Sequence, residues 1–201
     1  MILSFTPAGV ERAYRLGIFP MYYEETGQIY WFQPDPRTIL PLETFHISRS
    51  LAKTIRQGRF DVRFNTDFEG VMRGCADREE GTWISENFIA VYTALHRMGK
   101  AHSVETWLGN RLVGGTYGLA LGGAFMAESM FHYETDASKV ALAALVGRLR
   151  ERGFGLLDVQ YLTPNLARFG AREIPHRLYS TLLQDALQIP GIFDLPSPTE
   201  V

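Results

Sequence analysis

The sequence predicts an α+β protein in which a mixed β-sheet is flanked by helices. Amphipathic helical segments come first along the chain, and three strands connected by two short glycine-containing turns follow them. The remainder alternates between helix and strand, so a later strand follows a long crossover helix and can lie parallel to its neighbour. The meander is antiparallel, and the two strand directions together make the predicted sheet mixed.

The composition is that of a soluble globular protein with a substantial core. The chain has 201 residues, of which 46% are hydrophobic and 21% charged, which suits one domain or one domain with a small appendage. A net charge of −2 gives no overall reason to expect nucleic acid, and a single cysteine, Cys75, excludes an intrachain disulfide. The start lacks the apolar segment of a signal peptide, and no apolar run reaches the roughly 20 residues of a membrane span. We therefore expect a cytoplasmic protein without a membrane partner.

Residues 1–36 are expected to form a small N-terminal unit, and residues 37–201 the main domain. The stretch YRLGIFPMYYEETGQIYWFQPDPR is rich in aromatic residues, and its three prolines, Pro20, Pro34 and Pro36, exclude a long helix. This unit either covers the core as a flap or presents its aromatic side chains to a ligand beside a pocket.

The next segment, SRSLAKTIRQG, is expected to form a short basic helix. Ser48 can cap its start and Gly58 can end it. A basic stripe follows one side of this helix at positions i, i+4 and i+7: Arg49, Lys53 and Arg56. Such a stripe is either a solvated helix face or a local patch that binds phosphate.

The remaining elements follow in order. Helices are expected at 67–76 and at 85–98, where Ser85 is a cap. The strands HSVETWL, RLVGGTYGLAL and AFMAESMF make the meander, and a long helix capped by Asp136 comes next. A strand at 154–160, a short helix at Thr163 and Pro164, a few strand residues and a last helix complete the chain. This order fits a scaffold like that of the acyl-CoA N-acetyltransferases (GNAT).

Three polar residues interrupt strands that otherwise look buried. Asp158 and Gln160 are two positions apart on one strand, so both point to the same face of the sheet. Glu128 lies inside the apolar strand AFMAESMF. Because an unpaired buried carboxylate is costly, these groups need partners, water or a function. They are either a structural hydrogen-bonding unit or part of a reacting centre.

Several common cofactor motifs are missing. The sequence has no P-loop, dinucleotide fingerprint or nucleophile elbow. FHYETDAS stands where a CoA-binding enzyme would carry its glycine-rich pyrophosphate loop, and the five histidines lack the spacing of metal ligands. We therefore expect no cofactor and no metal.

Many blocks in the right order resemble leucyl/phenylalanyl-tRNA–protein transferase, and the resemblance runs from about Tyr14 to about Leu187. The blocks are YRLGIFPMY, PDPR, FHISRS, CADREEGTWI, YTALHRMGKAHSVETW, LVGGTYGLALGGAFMAESMF, DASKVAL and LLDVQYLTPNLARFGAREIP. The resemblance implies that a GNAT-like catalytic domain moves Leu, Phe or Met from its aminoacyl-tRNA to the N-terminal Arg or Lys of a protein. The product is a signal for the bacterial N-degron degradation pathway. It also implies a monomer that needs neither metal nor CoA.

The chain departs from the family pattern at two points. Family members usually carry a further N-terminal segment before the block that ends in GIFP, and this chain begins almost at that block. They often have Trp after GIFP, where this chain has Met21. We expect the second difference to change the shape of the aminoacyl pocket.

The chemistry of aminoacyl transfer and the resemblance together imply roles for individual residues. The donor ester is already activated, so the site needs to align an amine, keep it neutral and stabilise the oxyanion. Asp158 is expected to accept a proton or act as an electrostatic partner, and Gln160 to position the amine. Glu128 is expected to bind the donor α-ammonium group, the reacting centre or the acceptor's cationic side chain.

Further residues are expected to bind the substrates. Those predicted to contact the donor side chain or its surroundings are Trp83, Phe125, Met21, Thr116, Leu145 and Tyr14. Phe125 and Leu145 can equally be plain core. The basic stripe would hold phosphates near the tRNA acceptor end. The sequence leaves two other functions open, a CoA-dependent N-acyltransferase of small amines and a non-catalytic module that binds tRNA or N-degrons.

Overall fold

A seven-stranded mixed sheet with helices on both faces makes up most of the molecule. The structure is a computed structural model, and it describes residues 3–78 and 81–194. The helices are α1 (Pro7–Arg15), α2 (Arg49–Arg56), α3 (Phe68–Ala76), α4 (Glu86–Arg97), α5 (Ala137–Glu151), α6 (Pro164–Ala167) and α7 (His176–Leu187). The strands are β1 (Phe19–Tyr23), β2 (Gln28–Phe32), β3 (Arg37–Ile39), β4 (Asp61–Phe64), β5 (Ala101–Leu108), β6 (Arg111–Leu121), β7 (Ala124–His132), β8 (Leu156–Gln160) and β9 (Arg172–Ile174).

The strand order in the large sheet is β4-β5-β6-β7-β8-β3-β9. The meander β5–β6–β7 is antiparallel, as predicted. After the crossover helix α5, β8 lies parallel to β7, which confirms the mixed sheet. The predicted α+β class is therefore confirmed.

Two hydrophobic cores lie on opposite faces of the sheet. One contains residues of α1, α3, α4 and α7, and the other contains residues of α2 and α5. Successive side chains of a strand point to opposite faces of the sheet, so neighbouring residues belong to different cores. In β8, Leu156 belongs to the first core and Leu157 to the second. Asp158 is therefore on the same face as Leu156.

Four short strands are absent from the sequence prediction. β1 and β2 pair with each other in a separate two-stranded sheet, and β3 and β4 have only three and four residues. Elements this short show no reliable period of two, and β3 begins with a charged residue, Arg37. The prolines exclude a long helix in the N-terminal unit, but they permit the nine-residue α1, which has Pro7 in its first turn.

The predicted N-cap residues occupy that position in α2, α4 and α5, but the side-chain capping hydrogen bond is made in α2 and α4 and not in α5. Ser48 and Ser85 accept hydrogen bonds from the backbone N–H groups of Leu51 and Phe88. Asp136 has a left-handed φ of 69° and makes no capping hydrogen bond. Its carboxylate instead accepts hydrogen bonds from Lys139 and from Thr54 of α2, at 2.8 and 3.3 Å.

A β-bulge in β7 opens the middle of the sheet. Tyr117 pairs with Ser129 and Gly118 with Ala127, so Glu128 is the extra residue without a partner on β6. On the other side, β7 pairs with β8 only as far as Met126 and Asp158. Beyond these two residues the neighbouring strands separate.

The bulge depends on the missing side chain of Gly118. A Cβ at this position would lie 2.2 Å from the carbonyl oxygen of Met126. We therefore expect Gly118→Ala to lower the free energy of unfolding by about 1–3 kcal/mol, the usual cost of overpacking. Gly147→Ala is the matched control, because its Cβ would meet nothing within 4 Å in α5.

Urea unfolding measures both changes. The Gly147→Ala variant should gain up to about 1 kcal/mol from helix propensity. An unchanged midpoint for Gly118→Ala would mean that β7 adapts and that the bulge does not require glycine.

Candidate active site

A cavity of about 360 Å³ lies at the point where β7 and β8 separate. Its walls come from β1, β6, β7, α5, β8, α6 and the segment before α4. The lining residues are Met21, Arg78, Trp83, Thr116, Ala127, Glu128, Ser129, Met130, Leu142, Val159, Gln160, Tyr161, Thr163, Asn165 and Leu166. Most of this surface is apolar, with a few polar groups that converge on it, as in many small-molecule sites.

Asp158 is fully buried behind the cavity and bound by four hydrogen bonds. Arg37 donates to both carboxylate oxygens, at 2.9 and 2.6 Å, and the hydroxyl of Tyr179 donates at 2.7 Å. The fourth donor is the backbone N–H of Gln160, at 2.9 Å. Both oxygens of Asp158 therefore already accept two hydrogen bonds each, and the residue does not line the cavity.

The partners of Asp158 are themselves fixed in their ionisation states. Burial acts to lower the pKa of Arg37, but Asp158 beside it makes the net change upward, so the guanidinium stays charged. The Arg37 guanidinium lies over the rings of Phe19 and Tyr179, at 4.6 and 4.8 Å from their centroids. Burial and the negative charge of Asp158 raise the pKa of Tyr179, which keeps its hydroxyl as a donor.

Gln160 connects Asp158 to Glu128. It has a left-handed φ of 63°, an uncommon conformation for a residue other than glycine. Its backbone N–H is held by Asp158, and its side-chain Nε2 donates to Glu128 Oε2 at 3.1 Å. The buried ion pair therefore fixes the backbone from which the Gln160 amide enters the cavity.

Among the described residues, Glu128 is the ionisable carboxyl group in the cavity wall. Its Oε1 is buried and accepts no hydrogen bond of normal geometry from the described part of the chain. Burial raises the pKa of Glu128 to about 8, although Tyr14 nearby opposes part of this shift. The Tyr14 hydroxyl bonds to that of Tyr92, at 2.9 Å. Glu128 is therefore close to half-protonated in the slightly alkaline range.

The structure brings five of the residues selected from the sequence into the cavity wall. They are Met21, Trp83, Thr116, Glu128 and Gln160. Tyr14 and Asp158 are fully buried one layer behind the wall. The basic stripe lies on the exposed side of α2, away from this cavity.

Phe125 and Leu145 do not line the cavity. Both belong to the core between the sheet and α5, and Phe125 stacks on Phe193 at 5.5 Å between ring centroids. Phe125 pairs with Leu157, in the part of the sheet where β7 and β8 are still joined. The expectation that these two residues form the pocket wall is corrected for this reason, and the plain-core alternative fits their position.

Sequence reasoning missed several polar residues of the wall. Arg78 donates to Ser129 Oγ at 2.7 Å and to the carbonyl of Cys75 at 3.1 Å. It precedes two acids, Glu79 and Glu80, that lie outside the described residues. Asn165 follows the carboxyl end of β8, and its place just after a strand with two polar residues is the signal that could have identified it.

The described residues hold neither a candidate metal site nor a helix that could span a membrane. Within 3–78 and 81–194, no three His, Cys, Asp or Glu side chains form a group that could hold a metal ion. Within the same ranges, the longest apolar helices fall short of what is needed to cross a membrane.

The raised pKa of Glu128 predicts a pH-dependent stability. Between the ordinary pKa of 4.5 and about 8, the folded protein binds a proton that the unfolded chain releases. The free energy of unfolding should therefore fall as pH rises through this range, by at most about 1.4 kcal/mol per pH unit. Glu128→Gln should remove this component, whereas Glu151→Gln, at an exposed end of α5, should keep it.

Urea unfolding at several pH values between 5 and 8.5 measures the difference between these variants. Equal pH dependence in Glu128→Gln and the wild type would show that the carboxyl group is ionised in the folded protein throughout this range.

Comparisons with known proteins identify the family. The model of the leucyl/phenylalanyl-tRNA protein transferase matches residues 39–184, and the model of that family's N-terminal domain matches residues 4–35. The chain is 55% identical to the leucyl/phenylalanyl-tRNA–protein transferase of Herpetosiphon aurantiacus, over 96% of this chain and 100% of that protein. It is 53% identical to the transferase of the same name from Chlorobaculum parvum, over 88% of this chain and 92% of that protein.

A distant similarity to a solved structure adds nothing to this assignment. The match to the structure of L-PGS from Bacillus licheniformis covers 75% of this chain and 51% of that chain, with 12% sequence identity. Its TM-score of 0.41 is too low to support an argument. The two family models cover the small N-terminal sheet and, from the last residue of β3 onward, the large sheet with its cavity. The chain therefore belongs to the leucyl/phenylalanyl-tRNA protein transferase family.

Proposed function

We propose that the protein transfers Leu, Phe or Met from aminoacyl-tRNA to the N-terminal Arg or Lys of acceptor proteins. The new peptide bond marks the acceptor for N-degron degradation. Family membership over nearly the whole chain supports this function. The single structural observation behind it is the apolar cavity that carries both Glu128 and Gln160. The family assignment favours this function over a CoA-dependent acyltransferase and over a non-catalytic binding module.

The reaction needs alignment more than an enzyme nucleophile. The acceptor α-amine attacks the ester carbonyl, the C–N bond forms, and the C–O bond to the tRNA ribose breaks. One proton leaves the amine and one is gained by the released ribose oxygen. A largely apolar cavity can hold the two reactants together and strengthen electrostatic contacts at the oxyanion.

The cavity wall suits an apolar donor side chain. Trp83, Met130, Leu142 and Thr116 supply a surface without an isolated charge. Leu, Phe and Met all fit such a site, and charged side chains are excluded by the cost of desolvation. Sharp discrimination among the three is not expected, because one methylene group is worth only about 1–3 kcal/mol.

The contacts divide the roles of the three polar residues. The Gln160 amide positions the attacking amine, and Glu128 binds the amine and, when ionised, receives its proton. The four hydrogen bonds to Asp158 favour its role as an electrostatic partner that holds Gln160 over a role as direct proton acceptor. In this proposal the proton acceptor is Glu128 in the cavity wall, and not Asp158.

The rest of the proposal concerns the scaffold and the partner. Residues 1–36 form a small N-terminal unit, and residues 37–201 form a GNAT-like catalytic domain in which parallel strands separate at the reacting centre. Arg49, Lys53 and Arg56 contact tRNA phosphates from α2. The protein works as a cytoplasmic monomer.

A transfer assay tests the function directly. Purified protein should move labelled Leu from Leu-tRNA to a peptide that begins with Arg or Lys. The same peptide with an acetylated N-terminus should receive nothing, because its amine cannot attack. Equal transfer to a peptide that begins with Ala would contradict the proposed acceptor choice.

Single-turnover transfer across pH separates the roles of Asp158 and Glu128. Glu128→Gln should slow transfer by about 10²–10⁴-fold and remove the part of the pH dependence that reflects ionisation of Glu128, because the group that accepts the proton is lost. The rise of the rate that comes from deprotonation of the acceptor α-amine should remain. Tyr179→Phe leaves the ion pair intact and removes one hydrogen bond to Asp158. It should slow transfer by less than about 100-fold and keep the shape of the pH profile, as a positioning effect would.

Asp158→Asn provides the decisive comparison, provided that urea unfolding shows a folded variant. A slow rate with the wild-type pH profile is expected if Asp158 holds Gln160 in place. If the pH profile of Glu128→Gln matched that of the wild type, and the profile of Asp158→Asn kept only the titration of the acceptor α-amine, Asp158 would be the proton acceptor.

A further inference from the structure

A second cavity of about 240 Å³ lies beside the first. Asn165 lines both cavities, so the two are neighbours across the start of α6. The polar groups around the second cavity come from the start of α2 and the residues just before it, from the first turn of α5, and from α6 with the residue that follows it. They are His46, Ser48, Ser50, Lys139, Asn165 and Arg168.

The second cavity has an excess of positive charge. Asp136 also lines it, but Lys139 pairs with Asp136 at 2.8 Å and balances that charge. Arg168 is exposed and makes no ion pair with any residue that the structure describes. From 44 to 60 the chain has no Asp or Glu, so α2 continues this positive surface away from the cavity.

The positive surface stands out against the rest of the molecule. The whole chain has a net charge of −2, and the turn of the β1–β2 hairpin, whose first strand also reaches the first cavity, carries Glu24 and Glu25. A polyanion that extends out of the first cavity is therefore attracted by the positive surface on the Asn165 side and repelled by the acidic hairpin turn.

We infer that the second cavity binds a backbone phosphate of the nucleotides that precede the 3′-terminal adenosine of the donor tRNA. This inference rests on the proposed function, which places the esterified ribose in the first cavity. The guanidinium of Arg168, the ammonium of Lys139, the amide of Asn165 and the serine hydroxyls are the groups that commonly bind phosphate oxygens. The basic stripe on α2 then lies farther along the same strand of RNA.

The inference predicts that Arg168 matters for a donor with phosphates and not for one without them. The two donors are Leu-tRNA and 2′(3′)-O-leucyladenosine, which has the reacting ester but no phosphate. In Arg168→Glu, the ratio of kcat/KM for Leu-tRNA to kcat/KM for leucyladenosine should fall at least about tenfold. For deacylated tRNA, the slope of log binding constant against log salt concentration should become shallower, by the amount that about one phosphate contact contributes.

The matched control is Arg97→Glu, which makes the same charge change at the end of α4. That helix packs against the other face of the sheet, in the core opposite to α2 and α5. In Arg97→Glu, the ratio of the two kcat/KM values and the salt dependence of tRNA binding should equal those of the wild type. Both arginines are exposed, so both variants should fold.

The outcomes separate the inference from the proposed function. An unchanged ratio and an unchanged salt dependence in Arg168→Glu would overturn the inference and leave the transfer activity standing. An equal fall with both donors would also overturn it, because Arg168 would then act on the reacting centre. Failure of the wild type with both donors would overturn the proposed function and the inference together.

Discussion

The buried ion pair between Arg37 and Asp158 is the interaction on which the candidate site depends. It joins β3 to β8 across 121 positions of sequence, and Tyr179 adds a hydrogen bond from α7. Removing one member of such a pair typically costs about 3–5 kcal/mol, because the other charge is left buried and alone. Since Asp158 also holds the backbone of Gln160, a stable fold and an ordered reacting centre require the same contact.

The cavity lies next to the β-bulge in β7, where the regular pairing of the sheet is interrupted. The extra residue Glu128 breaks the pairing of β6 and β7, and the parallel pairing of β7 and β8 ends close to it. Bulges of this kind often redirect a side chain next to an active site. Here the redirected side chain is an acid in apolar surroundings, and the same burial raises its pKa to about 8.

Long elements with a clear period could be predicted from the sequence, and so could their direction. The meander, α5 and the parallel β8 agree with the structure because each has enough residues to show its pattern. Alternation along β8 places Asp158 on the face of Leu156, but it cannot be extended to Gln160, whose left-handed φ of 63° departs from strand geometry. Arg37 could not be recognised as their partner, because β3 is three residues long and lies 121 positions from Asp158.

The position of the cavity wall was harder to predict. Alternation assigns Phe125 to a face of the sheet, but it contains no information on where β7 and β8 separate. That point depends on the bulge and on tertiary pairing, so Phe125 and Leu145 lie in the core while Met21 and Trp83 reach the cavity. The asymmetric charge around Arg168 is likewise a property of the folded surface.

The location of Arg37 limits how this protein can be divided. The two family models match residues 4–35 and 39–184, so Arg37 falls in the short link between them. A fragment cut at the start of the second match would keep Asp158 in its core and lose the counterion for it. The short segment between the two matched regions therefore belongs structurally to the larger region, because Arg37 lies in its core. Replacement of the N-terminal unit of this chain must therefore leave Arg37 in place with the larger region.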